Sequence, residues 1–536
     1  MTKIQNSLYK FSRNFAQYLG LFFSAFAFAT AFFVTSYAEN METQKALISV
    51  NNPFLLLPCC LLFGGILFLC CKLIFKNAPR SKRILLILVP LWIMLTGMVM
   101  LLFNRTAPSG DAWSVYDCAA RMANGDYSVI HPDDSYLSYY PQQIGLMAFL
   151  ELIIRILKPF SLPFEYYHYV KLIYAALTCI IIFYQYKTVD LLWKNDKVDC
   201  LYLLLAGCNF PLILYSSFIY SEIPSFAALT PGLYYLLCLL SQKQKRTLPC
   251  AAVSLAALAV SVMLRKNSLV IIIAVVIVVL LEWCCQKRRF LLIYAILCII
   301  LSLSILPAVQ KVYEHRAGNS LRTGVPAMNY FAMGMQEASR GYGWYNGFNF
   351  LTYQSTGMNT EASVAISRKT ISERLAYFRQ NPAYTAKFYL GKYLTQWADG
   401  TYASRQATLA TFGGRKAVFE ELYDGKYSTP YIAYCKLYQL TVFAGIFILF
   451  LRTHRSGNRP GLYFYLPMIG AFGGFLFHMI WEANSRYIFL YWLLIFPYAS
   501  KGLFDLYEFT IPFRNRFFSK NSKAETEMPS SADTHI

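Results

Sequence analysis

Gly110 to Gln143 reads GDAWSVYDCAARMANGDYSVIHPDDSYLSYYPQQ, a polar stretch set between apolar runs that begin at Ile84 and Ile144. It carries several carboxylates, a run of tyrosines and a Tyr-Pro-Gln-Gln turn. Charges held where a chain meets a bilayer edge usually mark a site. The stretch is a polar island in a chain that is otherwise mostly apolar.

Composition sets the class. The chain has 536 residues, is 57% hydrophobic and 17% aromatic, and has a mean hydropathy of +0.39. Runs of spanning length recur, and we count about twelve. They lie at 15–37, 54–76, 84–103, 165–186, 199–217, 222–241, 248–264, 267–285, 290–309, 431–451, 461–481 and 487–504. Apolar runs of that length must satisfy their backbone groups internally, so each is expected to be a helix. The expected fold is an all-α polytopic membrane protein.

The net charge of +21 would suggest nucleic acid in a soluble protein. Its distribution argues against that. The segments 1–13, 72–83, 243–247, 286–289 and 452–460 hold Lys and Arg without any acidic residue, which marks the cytoplasmic side. Arg514, Arg516, Lys520 and Lys523 add to it in the tail. Both termini are then cytoplasmic in a multi-pass protein of the cell membrane, and no nucleic-acid module is visible. The first apolar segment, GLFFSAFAFATAFFVTSYA, is long for a signal peptide and is read as an uncleaved helix. The 14 cysteines lie mostly inside spans, including the pairs Cys59-Cys60, Cys70-Cys71 and Cys284-Cys285. None has metal-ligand spacing, and apolar packing accounts for them.

Topology gathers the polar residues. Three spans from a cytoplasmic N-terminus carry the chain outside at about residue 104. Keeping 187–197, 243–247 and 286–289 inside leaves room for one full span between Gln143 and Lys187, yet two apolar stretches are there. The first, 144–157, is short, contains Glu151 and Arg155, and ends at Lys158-Pro159; it reads as an amphipathic helix lying in the outer interface. Five regions then face outward: the loop 104–164, the turn at Ser221-Glu222, the turn at Arg265-Lys266-Asn267-Ser268, the long segment 310–430, and the connection Trp481 to Arg486. A segment as long as 310–430 is expected to be folded or functional. Stretches such as Glu361 to Asn381 suggest that it is helical.

At these residues the chain resembles the GT-C-type glycosyltransferases, membrane enzymes that use polyprenyl-phosphate-linked sugar donors. The resemblance runs through Gly110-Asp111, Tyr116, Ala119-Ala120, Gly125-Asp126-Tyr127 and Tyr139-Tyr140-Pro141-Gln142-Gln143. Later features resemble Gram-positive envelope relatives: Tyr220-Ser221-Glu222, Arg265-Lys266-Asn267-Ser268, Asn381-Pro382, Gln396-Trp397, and Trp481-Glu482 to Ser485-Arg486-Tyr487. It covers most of residues 84–504. It implies a GT-C-like helical bundle with interfacial helices in the first large outer loop and a mostly helical outer segment. The expected parts are two additional N-terminal spans in 1–83, a core of 84–309 with its catalytic loop at 104–164, the outer segment 310–430, C-terminal spans in 431–504 and a cytoplasmic tail from 505 to 536. The chain departs from the pattern in that N-terminal addition. It also lacks the Asp-Glu pair of protein O-mannosyltransferases after Asp111, the Trp-Trp-Asp signature of oligosaccharyltransferases, and a large soluble domain after the last span.

The activity implied is transfer of a sugar from an undecaprenyl-phosphate type carrier to a cell-envelope glycan or lipid-linked acceptor at the outer face. Such a transfer needs a carboxylate base on the acceptor hydroxyl. Position and resemblance both select Asp111; the plainer alternative is an aspartate capping the helix that Gly-Asp-Ala-Trp-Ser would begin. Asp117, further along the same helix, is a candidate for orienting the acceptor. The departing phosphate needs cations. Arg265, Lys266 and Arg486 are the candidates, with snorkelling to lipid headgroups as the alternative. Glu222 would orient acceptor hydroxyls or hold Arg265 or Lys266. Glu482 is four residues before Arg486, which predicts a structural ion pair on one helix face.

Tyr136, Tyr139, Tyr140, Trp344, Tyr345, Trp397 and Tyr402 are candidates to pack on sugar rings, against an interfacial aromatic belt. Tyr140 and Trp397 are preferred because each lies in a resembling motif, and Gln142 and Gln143 join them as sugar-binding candidates. His131-Pro132-Asp133-Asp134 has metal-like composition, but a turn explains it as well; a divalent metal is not the favoured reading and no cofactor is called for. Two rival functions remain: a lipid-linked glycan polymerase or ligase, and a flippase or transporter of lipid-linked sugars. A transporter would be expected to show internal repeats and midplane charges, and arginines concentrated in 310–430 would favour a ligase.

Overall fold

The computed structural model describes residues 3–39, 44–133, 135–241, 247–405, 411–412, 417–423, 425–457 and 459–526. Asp134 and most of the basic loop 243–247 lie outside them, as do the side chains of the basic tail. The chain is built from helices, with three short two-stranded ribbons among the described residues.

Among the described residues, ten helical stretches are long and apolar enough to cross a membrane. One of them, Pro53–Phe103, is 51 residues long. As a straight helix it would run ~77 Å, against a hydrocarbon core of about 30 Å. It is in fact two helices, Pro53–Ile74 and Ala78–Phe103. They are broken at a 3-10 turn where Asn77 leaves the helical region (φ −140°, ψ 72°). Each half is one crossing.

The expected span at 199–217 is not a continuous helix. It is formed by Asp196–Gly207 and the short Phe210–Tyr215, separated at Cys208-Asn209. Asn209 stops the first helix and starts the second: its side chain accepts a hydrogen bond from the Leu212 amide at 3.2 Å. The pair still carries the chain from one end of the bundle, where Asp196 and Asp199 meet Lys82, to the other, where Glu222 meets Arg265. The 144–157 segment is a 14-residue helix, Ile144–Leu157, about 21 Å long and too short to cross. Its Glu151 is buried under Arg155 (2.8 Å) and Arg316 (3.2 Å).

The two N-terminal spans differ in standing. Lys3–Phe33 belongs to the core: Gln17 Nε2 donates to the Phe450 carbonyl at 2.7 Å, and Tyr465 donates its hydroxyl to Gln17 Oε1 at 2.9 Å. Pro53–Ile74 is peripheral, with most of its apolar side chains exposed, as suits a surface meeting lipid. At the other end of the chain, Ser428–Arg455 and Ser485–Thr526 cross at Gly445 and Gly502. A Cβ on Gly502 would fall 1.7 Å from the Gly445 carbonyl oxygen, so only a small residue lets these helices approach. The last helix continues to Thr526 and takes in most of the expected tail.

The segment after Arg289–Ala317 is mostly helical: Ala327–Gly334, Phe348–Ser355, Thr360–Gln380 and Pro382–Trp397. It is stitched to the first loop. Ala107–Pro108 pairs antiparallel with Thr411–Phe412, and Arg322 reaches the Pro132 carbonyl and Asp133, both at 2.7 Å. Val325 N donates to the Tyr139 carbonyl at 2.9 Å. Gly324 (φ +81°) sits so close to Pro141 that a Cβ would meet its ring at 2.4 Å. The same segment holds the 481–486 turn: Lys392 Nζ donates to the Gly334 and Trp481 carbonyls, and Ala483 N to Gly343 O at 2.8 Å.

Candidate active site at one end of the bundle

Asp111, Glu222, Arg265, Glu482 and Arg486 come from four separate regions of the chain, and the fold brings them together. Each lies at or beyond the end of a span, on the end opposite Lys82, Lys197 and Arg452.

Asp111 stands in the first turn of the helix Gly110–Ala123, whose N-cap is Ser109. It therefore does not cap the helix. Its carboxylate lies near the Tyr136 hydroxyl and feels the charge of Arg486 from beyond ion-pair distance. The side chain is open to solvent, yet the protein around it raises its pKa by desolvation, against the opposing pull of Arg486 and Tyr136. A carboxylate that solvent reaches yet that its surroundings strongly desolvate stands on the wall of a concave space. Tyr140, Tyr345 and Tyr487 are within electrostatic reach of it. Gln143 Nε2 donates to the Tyr220 hydroxyl, which places Tyr220 beside Tyr136. Gln142 is half-buried and joins none of these contacts.

Facing Asp111 is a charge triad. Glu222 Oε1 lies 2.7 Å from Arg265 Nη1 and 3.6 Å from Arg486 Nε. All three side chains are largely buried. Ser221 Oγ accepts from Arg265 Nη1 at 3.0 Å. Two guanidiniums share one carboxylate, so the triad keeps one unit of positive charge. Among the described residues, the Nε atoms of both arginines are buried without a hydrogen-bond partner, as are both Glu222 carboxylate oxygens. Arg486 is boxed by the rings of Phe218, Tyr220 and Tyr487, with centroids 5.6, 5.4 and 5.2 Å away, a cation–π setting that fixes its orientation. Buried donors with surplus positive charge are a ready place for an anion.

Glu482 does not make the predicted pair with Arg486. It precedes the helix Ser485–Thr526, so the two are not on one helical face, and Arg486 turns to Glu222. Glu482 instead accepts from the Tyr487 hydroxyl at 3.1 Å. Burial raises its pKa to about 7, partly offset by Arg486, while Asp111 pushes it further up. Burial lowers Lys392 to about 7, with Glu482 acting in the opposite direction.

The basic pair 265–266 divides. Arg265 points inward, whereas Lys266 opens a 3-10 turn, is exposed, and has no carboxylate within 4.0 Å among the described residues. Asp117 lies on another face of its helix from Asp111, in a neighbouring cleft. The aromatic candidates also divide. Tyr136, Tyr140 and Tyr345 line the centre. Tyr139, Trp344, Trp397 and Tyr402 are core residues. Trp397 is 1% exposed, edge-on to Phe23 at 5.0 Å, and so has no face free for a sugar. At 131–133, the Asp133 amide donates to His131 Nδ1 at 3.1 Å and the Asp133 carboxylate is taken by Arg322. No group of three or more His, Cys, Asp or Glu suited to a metal occurs among the described residues.

Sequence reasoning missed Asp399. Its buried carboxylate accepts from Thr401 N (2.8 Å), Thr401 Oγ1 (2.7 Å), Ala403 N (3.2 Å) and Ser485 Oγ (2.6 Å). Ser485 is next to Arg486, so Asp399 anchors the start of the last helix where the guanidinium must be held. The residues after it, Tyr402 and Ala403, have φ of +50° and +54°, a strained backbone that this network sustains. The Asp-Gly-Thr run at 399–401 was the available turn signal. Arg340 also went unnoticed; it lies over Tyr345 at 5.6 Å and within electrostatic reach of Glu482.

Fold and site together define a polytopic helical membrane protein with a charged centre assembled at one end of its bundle. No protein-family model matches the chain, and no curated protein matches it either. Among solved structures, it is similar to the crystal structure of the Archaeoglobus fulgidus oligosaccharyltransferase in complex with Zn and sulfate. Sequence identity is 13% and the TM-score 0.41, over 79% of this chain and 50% of that one. The chain thus spans about half the length of that structure, and the reading of the site rests on this chain's own residues.

Proposed function

We propose that the protein is a GT-C-type glycosyltransferase that moves a sugar from a polyprenyl-phosphate carrier to a cell-envelope glycan or lipid-linked acceptor. The observation that carries this reading is the placement of a desolvated, solvent-reached carboxylate, Asp111, across from a buried triad with spare positive charge. One side suits a base and the other a leaving phosphate.

In this scheme an Asp111 oxygen takes the proton of the acceptor hydroxyl as the hydroxyl's own oxygen bonds the anomeric carbon. The bond from the anomeric carbon to the phosphate oxygen breaks with its electron pair, and polyprenyl phosphate leaves. Arg486 and Arg265 receive the charge that develops on it. Glu222 keeps the two guanidiniums together, Tyr136 orients the Asp111 carboxylate, and Tyr140 and Tyr345 border the sugar. The excess of basic residues at the opposite end of the bundle supports an extracytoplasmic centre with both termini inside. A transporter fits less well, because the charges gather at span ends rather than at midplane.

The test is the sugar composition of the cell envelope in a deletion strain. One sugar should fall on deletion and return with the wild-type chain. With loss of the transferase, lipid-linked sugar should accumulate on the outer side; its accumulation on the cytoplasmic side would favour the flippase instead, and an unchanged composition would contradict both.

A further inference from the structure

Beside the centre lies a second concavity, a cleft of about 460 Å³ on the flank of the Gly110–Ala123 helix. Trp113, Asp117, Arg121, His131, Asp133 and Tyr136 are among its walls. Its volume is within the range of small-ligand sites. It adjoins the centre through Tyr136, which lines the cleft and whose hydroxyl lies near Asp111. Asp117 stands about 9 Å along the helix axis from Asp111.

The charges in this cleft are nearly all spoken for. Arg121 pairs with Asp126 at 2.7 Å and Asp133 with Arg322 at 2.7 Å. Asp117 has no hydrogen bond or ion pair among the described residues, although it is only half-exposed. Among the described residues, Asp117 is opposed only by Arg121, which Asp126 already pairs, so the surplus charge is negative. That disfavours a phosphate and favours a ligand that donates hydroxyl hydrogens to a carboxylate. Trp113 is 43% exposed and offers an indole face that its contact with Tyr116 (5.9 Å between centroids) keeps in place. A flat apolar ring beside an unpaired carboxylate matches the alternating C–H faces and hydroxyl edges of a sugar.

We propose that this cleft binds the non-reacting part of a neutral glycan acceptor, so that the acceptor's terminal sugar reaches Asp111 past Tyr136. The inference rests on the transferase reading and extends it: the acceptor is an oligosaccharide that fills two adjoining spaces, and the lipid phosphate occupies only the arginine side.

The experiment uses membranes of the deletion strain as the donor source, with the full-length chain added back. Glycan fragments released by mild acid from the same strain's envelope serve as the acceptor. Sugar incorporation is followed against fragment concentration for the wild type, Trp113→Ala, Trp113→Phe and Asp117→Asn. The expected result is a rise in the acceptor KM of about tenfold or more for Trp113→Ala and Asp117→Asn, a loss of about 1.4 kcal/mol. Trp113→Phe, which keeps a ring, stays nearer the wild type, and kcat at saturating fragment is kept. Wild-type KM in both Trp113→Ala and Asp117→Asn overturns the cleft assignment while leaving the transferase standing. If the wild type itself incorporates no sugar at any fragment concentration, the transferase reading falls and the cleft assignment with it.

Discussion

Replacing Glu222 by Gln tests the charge triad in two opposite directions at once. The wild-type triad holds two guanidiniums against one carboxylate, with Oε1 2.7 Å from Arg265 and 3.6 Å from Arg486. Glu222→Gln removes the only negative member and leaves two buried cations facing each other. Breaking a buried pair in this way costs about 3–5 kcal/mol. The same change raises the net charge of the triad from one to two units, so an anion that enters the site should bind more tightly. Thermal unfolding of the detergent-solubilised protein, with and without a short-chain polyprenyl phosphate, reads both effects. Without ligand the variant should melt well below the wild type. With ligand at a hundred times its Kd, stabilisation of about 2.7 kcal/mol is expected for either protein, and the variant should reach it at a lower ligand concentration. Equal melting of the two proteins would refute the triad, and a variant destabilised but unresponsive to the lipid phosphate would refute its role as an anion site.

Glu482→Gln should act through pH. The folded protein raises Glu482 from its usual range to about 7, so the native state binds a proton that the unfolded chain has lost. Stability linked to this group is present below about pH 4.3 and falls as pH rises toward 7; the variant should therefore gain stability relative to wild type at pH 8 and not at pH 4. Transfer should lose rate as the medium is acidified through the Asp111 pKa, at a pH above that of an ordinary aspartate near 3.9; a rate flat down to pH 4 would contradict it. Arg486→Lys should cost transfer more than tenfold, because a lysine has neither the fork nor the fit to the ring box, whereas Lys266→Ala should leave stability within about 0.5 kcal/mol. Trp397→Ala should destabilise by about 3–5 kcal/mol without changing the sugar KM of the protein that still folds.

Much of the candidate site's charged cluster was legible in the sequence because charge is costly at a membrane boundary. Asp111, Glu222, Arg265 and Arg486 each stand out against an apolar neighbourhood, and parity of the spans puts them on one side. What periodicity does not carry is which face of a chain turns inward. Arg265 and Lys266 are neighbours with the same chemistry, and only the 3-10 turn at Lys266–Ser268 separates them. Trp397 was preferred to Tyr345 for its place in a resembling motif, and only packing against Phe23 shows that its ring is closed off. The break at Asn209 was hidden by the unbroken apolarity around it. Asp399, Lys392 and Arg340 lie in a segment without spans to fix its register, so their approach to the centre follows from tertiary contacts that no local pattern encodes.

The most direct measurement is sugar transfer by the deletion strain carrying Asp111→Asn at wild-type expression, with envelope sugar composition as the readout. The amide keeps the shape and the contact with Tyr136 but cannot take a proton. The lost sugar should return with the wild-type chain and stay absent with Asp111→Asn. Full restoration by Asp111→Asn would contradict the assignment, because the base would then have to be another group.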